Sequence, residues 1–144
     1  MRKFFCHFII GAIAYPLMEI AFRGYSHWTM SITGGLAFNL LLGVGKRFRY
    51  KPLALQSLLG AEAITALEFA MGCIVNKWLK MAVWDYSHLP GHIMGQICLP
   101  FFALWYALCL PVLWAASRFR RHPHPWLKAF AIAGKAPEQA GSGR

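Results

Sequence analysis

The sequence predicts an all-α integral membrane protein, a bundle of four transmembrane helices with both termini in the cytoplasm. Three observations support this class. The 144 residues are 58% hydrophobic and only 14% charged, with a mean hydropathy of +0.43, whereas soluble domains carry about 25% charged residues. Four apolar segments have lengths suited to crossing a bilayer. The basic residues cluster at the ends of these segments.

The four segments are predicted to span the membrane at about 4–22, 28–44, 53–78 and 93–116. The first has the length of a hydrocarbon core, about 28 Å at 1.5 Å per residue. It also resembles a signal peptide, with "AIA" at 12–14 as the cleavage-site pattern, but its apolar run continues past that site, which favours a span. The second is short and Gly-rich. The fourth contains prolines, which spans tolerate where neighbouring helices satisfy the freed carbonyl groups.

The net charge of +10 is distributed as expected for a membrane protein rather than for a nucleic-acid-binding one. Twelve of the 15 Lys and Arg residues lie at the N-terminus, in "GKRFRYKP" (45–52) or from Arg118 onward. Four spans place these twelve on one side, which the positive-inside rule makes cytoplasmic. We therefore predict a four-span domain over residues 1–119 and a basic, partly disordered cytoplasmic tail over 120–144.

The chain has only five carboxylates, and three of them fall within predicted spans: Glu19, Glu62 and Glu68. A charge near the bilayer centre costs about 2.5–3.5 kcal/mol, so each must meet a partner or water, or be protonated. Glu19 and Arg23 are four residues apart and can form an ion pair on one helical face. Glu68 shares a stripe with small and polar residues, which indicates either a helix–helix interface or the wall of an internal site.

The polar residues on the predicted outer side come from all four segments and their connections. Because a compact bundle could bring them together, we predict an outward-facing substrate site. Its predicted substrate-binding residues are Glu19, Arg23, His27, Glu68, Asn76, Asp85 and Gln96.

Catalytic and metal-binding alternatives have weaker support in the sequence. The candidates for acid–base chemistry are Asp85, His88 and Glu68. The spacing of Asp85, His88 and His92 resembles that of metal ligands on a helix, but a Pro-Gly pair interrupts the segment. The four cysteines form no C-x-x-C pair, and "GVGKR" lacks the pattern of a phosphate loop. We expect no metal and no cofactor, and any ATP-driven step would need a separate ATPase subunit.

Four stretches occur together in an order and spacing that resemble one protein family. They are "RGYSHWTM" (23–30), "EFAMGCIVN" (68–76), "WDYS" (84–87) and "GQICLP" (95–100). On these motifs the chain resembles the family described as "putative ABC-transporter type IV", small multi-pass membrane proteins mostly of bacteria, with a related eukaryotic group. The resemblance covers roughly residues 5–113. Thr29 and His92 stand where the family pattern has Ser and Asn, so it implies no ligand role for His92.

The resemblance implies a small permease-like transport component of the bacterial cytoplasmic (inner) membrane. We expect it to contact membrane lipids, to work as a homo-oligomer or with a partner subunit, and to bind no nucleic acid. One alternative is a membrane-embedded enzyme acting on a lipid or lipid-linked substrate at the outer leaflet. Another is a structural or assembly subunit, in which the polar groups hold helices together.

Overall fold

The computed structural model describes residues 2–121, apart from the side chains of Arg23 and Arg121. In chain order its helices are α1 Arg2–Arg23, α2 Trp28–Arg47, α3 Leu53–Gly72 and α4 Leu99–Arg121, and α3 continues into a π-helical segment, Cys73–Trp78. These residues contain no β-strand. The all-α class with four helices long and apolar enough to cross a membrane is confirmed. The tail predicted from residue 120 lies, from residue 122 onward, outside the described residues.

The outer surface of α1 is apolar along its length. Ile9, Ile13 and Leu17 are each more than half exposed, and positions four residues apart share one helical face. In water such a stripe would be a large exposed apolar patch, which soluble monomers rarely carry. In a bilayer the same stripe faces lipid hydrocarbon, so the surface of α1 agrees with its length in indicating a membrane span.

Small residues let the helices approach closely. A Cβ built on Gly34 of α2 would lie 2.5 Å from the carbonyl oxygen of Gly11 on α1. A Cβ built on Gly60 of α3 would lie 2.6 Å from Cδ1 of Leu41 and 3.3 Å from Sγ of Cys109. Contact between membrane helices depends on such close packing because lipid removes the hydrophobic driving force between them.

The helices alternate in direction, so the bundle has two distinct ends. At one end, Arg120 of α4 donates a hydrogen bond of 3.3 Å to the carbonyl oxygen of Gly45, beside the turn that joins α2 to α3. We call this the basic end. The opposite end carries the short turn 24–27 and the long connection 79–98, and we call it the loop end. Which end faces the cytoplasm stays a prediction from the charge distribution.

The fourth helix begins at Leu99 rather than near Ile93. Gly91, Met94 and Gly95 have positive φ values of 65°, 53° and 70°, which an α-helix cannot contain. The Ile93 N–H instead donates a 2.9 Å bond to the Ile97 carbonyl and closes a tight turn. The sequence "GHIMG" (91–95) has the G-x-x-x-G spacing that predicts close helix packing, but its glycines form a turn in the loop.

Candidate functional site

The centre of the candidate site is the buried carboxylate of Glu68. α3 turns one face toward the bundle interior, and that face carries Ala61, Ile64 and Glu68 at helical spacing. Only 5% of Glu68 is exposed. The Tyr15 hydroxyl of α1 donates a hydrogen bond to its Oε1 atom, and the Trp105 Nε1–H of α4 donates one of 2.8 Å to Oε2. The carboxylate thus links three helices through two neutral donors.

Tyr15 and Trp105 also form the wall between Glu68 and a crevice that separates α1 from α4. Their ring centroids are 5.4 Å apart. Toward the loop end, α1 and α4 enclose a cavity of about 260 Å³, apolar except for Glu19 and the two tyrosines Tyr15 and Tyr86. A smaller cavity of about 140 Å³ continues toward the basic end and is lined by all four helices. Because Tyr15 and Trp105 line both cavities, a molecule in the crevice would contact the two residues that bond to Glu68.

A second polar cluster closes the loop end, and Asn76 is its centre. The Asn76 side-chain amide donates bonds of 3.0 Å to the Trp84 carbonyl and 2.8 Å to Oε1 of Gln96. Its Oδ1 atom accepts a 2.7 Å bond from the Val83 N–H. Asn76 lies in the π-helical segment, a rare geometry that often marks functional sites. These bonds fasten the 79–98 connection onto the end of α3.

Trp84 completes this cluster and is 6% exposed. Its Nε1–H donates a 3.0 Å bond to the Gln96 carbonyl. Gly72 makes room for both side chains, since a Cβ built there would lie 2.5 Å from Oε1 of Gln96 and 3.1 Å from Cζ2 of Trp84. The buried amides, indole and glycine therefore form one packed unit that determines the course of the loop.

Asp85 lies outside both clusters, on the surface of the loop. Ser87 donates two bonds to it, from its N–H to Oδ1 at 2.9 Å and from its hydroxyl to Oδ2 at 3.0 Å. The backbone bond, the hydroxyl bond and the charges of His88 and Lys77 hold the pKa of Asp85 below its usual value. Asp85 is therefore ionised at neutral pH.

The remaining predicted site residues also lie toward the loop end. Glu19 lines the larger cavity and accepts a 2.6 Å bond from the Ser26 hydroxyl. His27 caps α2, and its Nδ1 accepts a 3.4 Å bond from the Thr29 N–H. The side chain of Arg23 lies outside the described part of the structure, so its role stays a prediction.

The structure therefore divides the predicted residues among separate places. Glu68 lies behind the crevice and Glu19 lines it. Asn76 and Gln96 bond to each other at the loop end. Asp85 is exposed on the loop. His88 and His92 are also exposed, and within residues 2–121 no group of three or more His, Cys, Asp or Glu side chains is placed to hold a metal ion.

Tyr15 and Trp105 are not among the site residues predicted from the sequence, although both donate to Glu68. The position of Tyr15 offered a signal, because it lies well inside the first apolar segment, whereas Tyr and Trp concentrate at membrane interfaces. A buried phenol or indole requires a hydrogen-bond partner. Partner identity depends on helix packing, which the sequence pattern alone does not specify.

Four apolar helices around a buried carboxylate define the class of this protein as a multi-pass membrane protein. The chain matches the model of the family described as "Putative ABC-transporter type IV" over residues 6–132. That match covers most of the chain, so the protein belongs to this family, and the resemblance drawn from its motifs is confirmed. No curated protein and no solved structure matches the chain.

Proposed function

We propose that the chain is a small permease-like transport component whose substrate site is the crevice between α1 and α4. The observation that carries the proposal is the Glu68 carboxylate, buried among membrane helices and bonded to two residues that line the crevice. A carboxylate in this setting is costly in a membrane, and such groups usually mark a substrate or ion pathway.

The orientation follows from the positive-inside rule. We propose that the basic end faces the cytoplasm and that the loop end, with the larger of the two crevice cavities, faces outward. We also propose that this membrane is the bacterial inner membrane, as the family resemblance implies. The family's description associates it with ABC transporters, so we propose that it works as an oligomer or with a partner, and that a separate ATPase supplies any ATP-driven step.

The predicted binding residues take different roles in this proposal. Glu68 is the buried ionisable group, and Glu19 contacts substrate at the outer part of the crevice. Arg23 keeps the role that the sequence predicts for it, which is to bind or balance negative charge. Asn76 and Gln96 act as positioning residues because their amides are bonded to the loop and to each other. Asp85 and His27 are proposed to bind substrate at the loop end, before it enters the crevice.

The enzymatic alternative has less support from the geometry. A general acid or base works best with a pKa near the operating pH, whereas the pKa of Asp85 is lowered from an already acidic usual value. Neither Asp85 nor His88 lines the crevice cavities. The assembly role is a direct competitor, since hydrogen-bonded polar groups also join helices.

The test compares cells that lack the chain with cells that express it as wild type, as Glu68→Gln or as Glu62→Gln. Glu62 is exposed on the same helix, so its substitution is the matched control. Mass spectrometry of cell contents is expected to find a solute whose uptake or export depends on the wild-type chain. That dependence should be lost in Glu68→Gln and kept in Glu62→Gln. Equal solute profiles for all chains, with normal membrane levels, would contradict the transport proposal.

A further inference from the structure

A further groove beside α1 shares none of its lining residues with the two crevice cavities. It lies between α1 and the part of α2 nearest the basic end and has a volume of about 480 Å³. Phe4, Leu36 and Leu40 line it, and Gly43 leaves it open, since a Cβ built there meets no atom within 4 Å. Arg47 lies at one end. We call this the α1/α2 groove.

The Arg47 end of the groove is surrounded by positive charge. Lys46 and Arg47 end α2, while Arg2 and Lys3 begin α1, and all four residues belong to the basic end. Residues 20–61 contain no Asp or Glu. Arg47 is exposed and its guanidinium lies over the ring of Phe48, so the side chain is available to an external anion. An occupant of this groove must therefore be apolar along most of its length and negative at one end.

The direction of the groove agrees with the direction of a membrane lipid. Arg47 is the last residue of α2, and the groove extends back along the helix to Leu36. Eleven residues of helix correspond to about 16 Å, roughly half the hydrocarbon thickness of a bilayer. A lipid acyl chain follows this path, from a headgroup at the membrane surface to the bilayer centre.

We propose that the α1/α2 groove binds one anionic phospholipid, with its phosphate at Arg47 and Lys46 and an acyl chain along Gly43, Leu40 and Leu36. The charge favours an anionic over a zwitterionic headgroup, since basic residues near a membrane surface attract anionic lipid. The apolar length of the groove favours a whole lipid over free phosphate. This site is separate from the crevice and does not depend on the transport proposal.

Native mass spectrometry of the delipidated chain in detergent tests the site. The probes are phosphatidylglycerol, phosphatidylcholine with the same acyl chains, and glycerol phosphate without chains. We expect one tightly held phosphatidylglycerol per chain and weaker binding of the other two. Arg47→Gln should weaken phosphatidylglycerol binding about fivefold, as expected for one basic contact, and Arg47→Lys should restore most of it. Lys77→Gln, which removes a charge at the loop end, is the matched control.

Gly43→Phe tests the acyl-chain part of the site without removing charge. The new ring can enter the groove because nothing lies within 4 Å of the position of its Cβ. We expect the tight lipid to be lost while circular dichroism and gel filtration stay unchanged, and Gly43→Leu repeats the test with a smaller side chain. Equal binding of the two lipids, undiminished binding in Arg47→Gln and Gly43→Phe, or a chain dimer that occupies the groove instead of lipid would each overturn the proposal.

Discussion

The Tyr15 hydroxyl of α1 donates a hydrogen bond to the carboxylate of Glu68 on α3, although within the described residues α1 packs closely only against α2. Trp105 brings α4 to the same carboxylate. Through this buried acid α1 is therefore joined to α3 and α4 as well as to α2. Both donors line the crevice that we propose as the substrate site, so the proposal makes stability and transport depend on the same hydrogen bonds.

Replacing Tyr15 with Phe removes one donor to Glu68 and retains the ring. We expect the free energy of unfolding to fall by about 1.5–3 kcal/mol, the usual net value of a hydrogen bond to a charged group. Reversible unfolding in mixed detergent micelles measures it. Tyr50→Phe is the control, because Tyr50 is 85% exposed at the basic end. An unchanged stability in Tyr15→Phe would show that the bond to Glu68 does not help to hold α1.

Replacing Gly34 with Ala tests the contact between α1 and α2. The added methyl would lie 2.5 Å from the carbonyl oxygen of Gly11, so backbone must move, and overpacking of this kind costs about 1–3 kcal/mol. Gly43→Ala is the matched control in the same helix. A Cβ built on Gly43 has no atom within 4 Å. The higher helix propensity of Ala should therefore raise the free energy of unfolding of Gly43→Ala by up to about 1 kcal/mol. The same unfolding assay measures both variants, and equal effects would contradict the packing argument.

The helices were predictable because apolar length is a property of the sequence alone. The first three predicted spans agree closely with α1, α2 and α3 with its π-helical extension. The start of α4 was less predictable, because Met94 takes a positive φ that its side chain gives no reason to expect. The residues "GHIMG" also carry the spacing of a helix-packing motif, and only the observed backbone shows that they form a turn.

The candidate site was partly predictable for a similar reason. Glu68 could be identified because a carboxylate within an apolar run needs a partner. Its partners could not, because Tyr15 and Trp105 are far from it in sequence and meet it only through helix packing. The link from Asn76 to Gln96 has the same origin, since it depends on the turn of the 79–98 connection back onto α3.

Replacing Asn76 with Ala should release the connection at the loop end. The change removes three hydrogen bonds, worth about 0.5–1.5 kcal/mol each, so the open population of the loop should rise about tenfold or more. Limited trypsin digestion of the protein in detergent, followed at the exposed Lys80, measures this opening. His88→Ala alters an exposed side chain of the same loop and should leave the cleavage rate unchanged. Equal rates for wild type and Asn76→Ala would contradict the positioning role.

The titration of Asp85 tests the geometry of the loop at the surface. Asp85 is the only Asp in the chain, so carbon-13 labelling of Asp side chains gives a single carboxyl signal in NMR. Its pKa should lie below the usual 3.8, chiefly because of the backbone bond from Ser87 and then the hydroxyl bond. Since the folded-state pKa is lowered, the ionised carboxylate favours the folded loop above pH 3.8, and this contribution is lost as the pH falls through the folded-state pKa.

Ser87→Ala separates the two bonds that lower the pKa of Asp85. It removes the hydroxyl donor and keeps the backbone N–H, so the pKa should rise toward 3.8 without reaching it. His88→Gln is the comparison, because the charge of His88 contributes less than either bond, and its shift should be smaller. A wild-type signal that titrates at or above 3.8, or a larger shift in His88→Gln than in Ser87→Ala, would contradict the two-bond turn. If the wild-type carboxyl titrated at or above 3.8, Asp85 would again be a candidate proton donor, because only a raised pKa would suit it to acid catalysis.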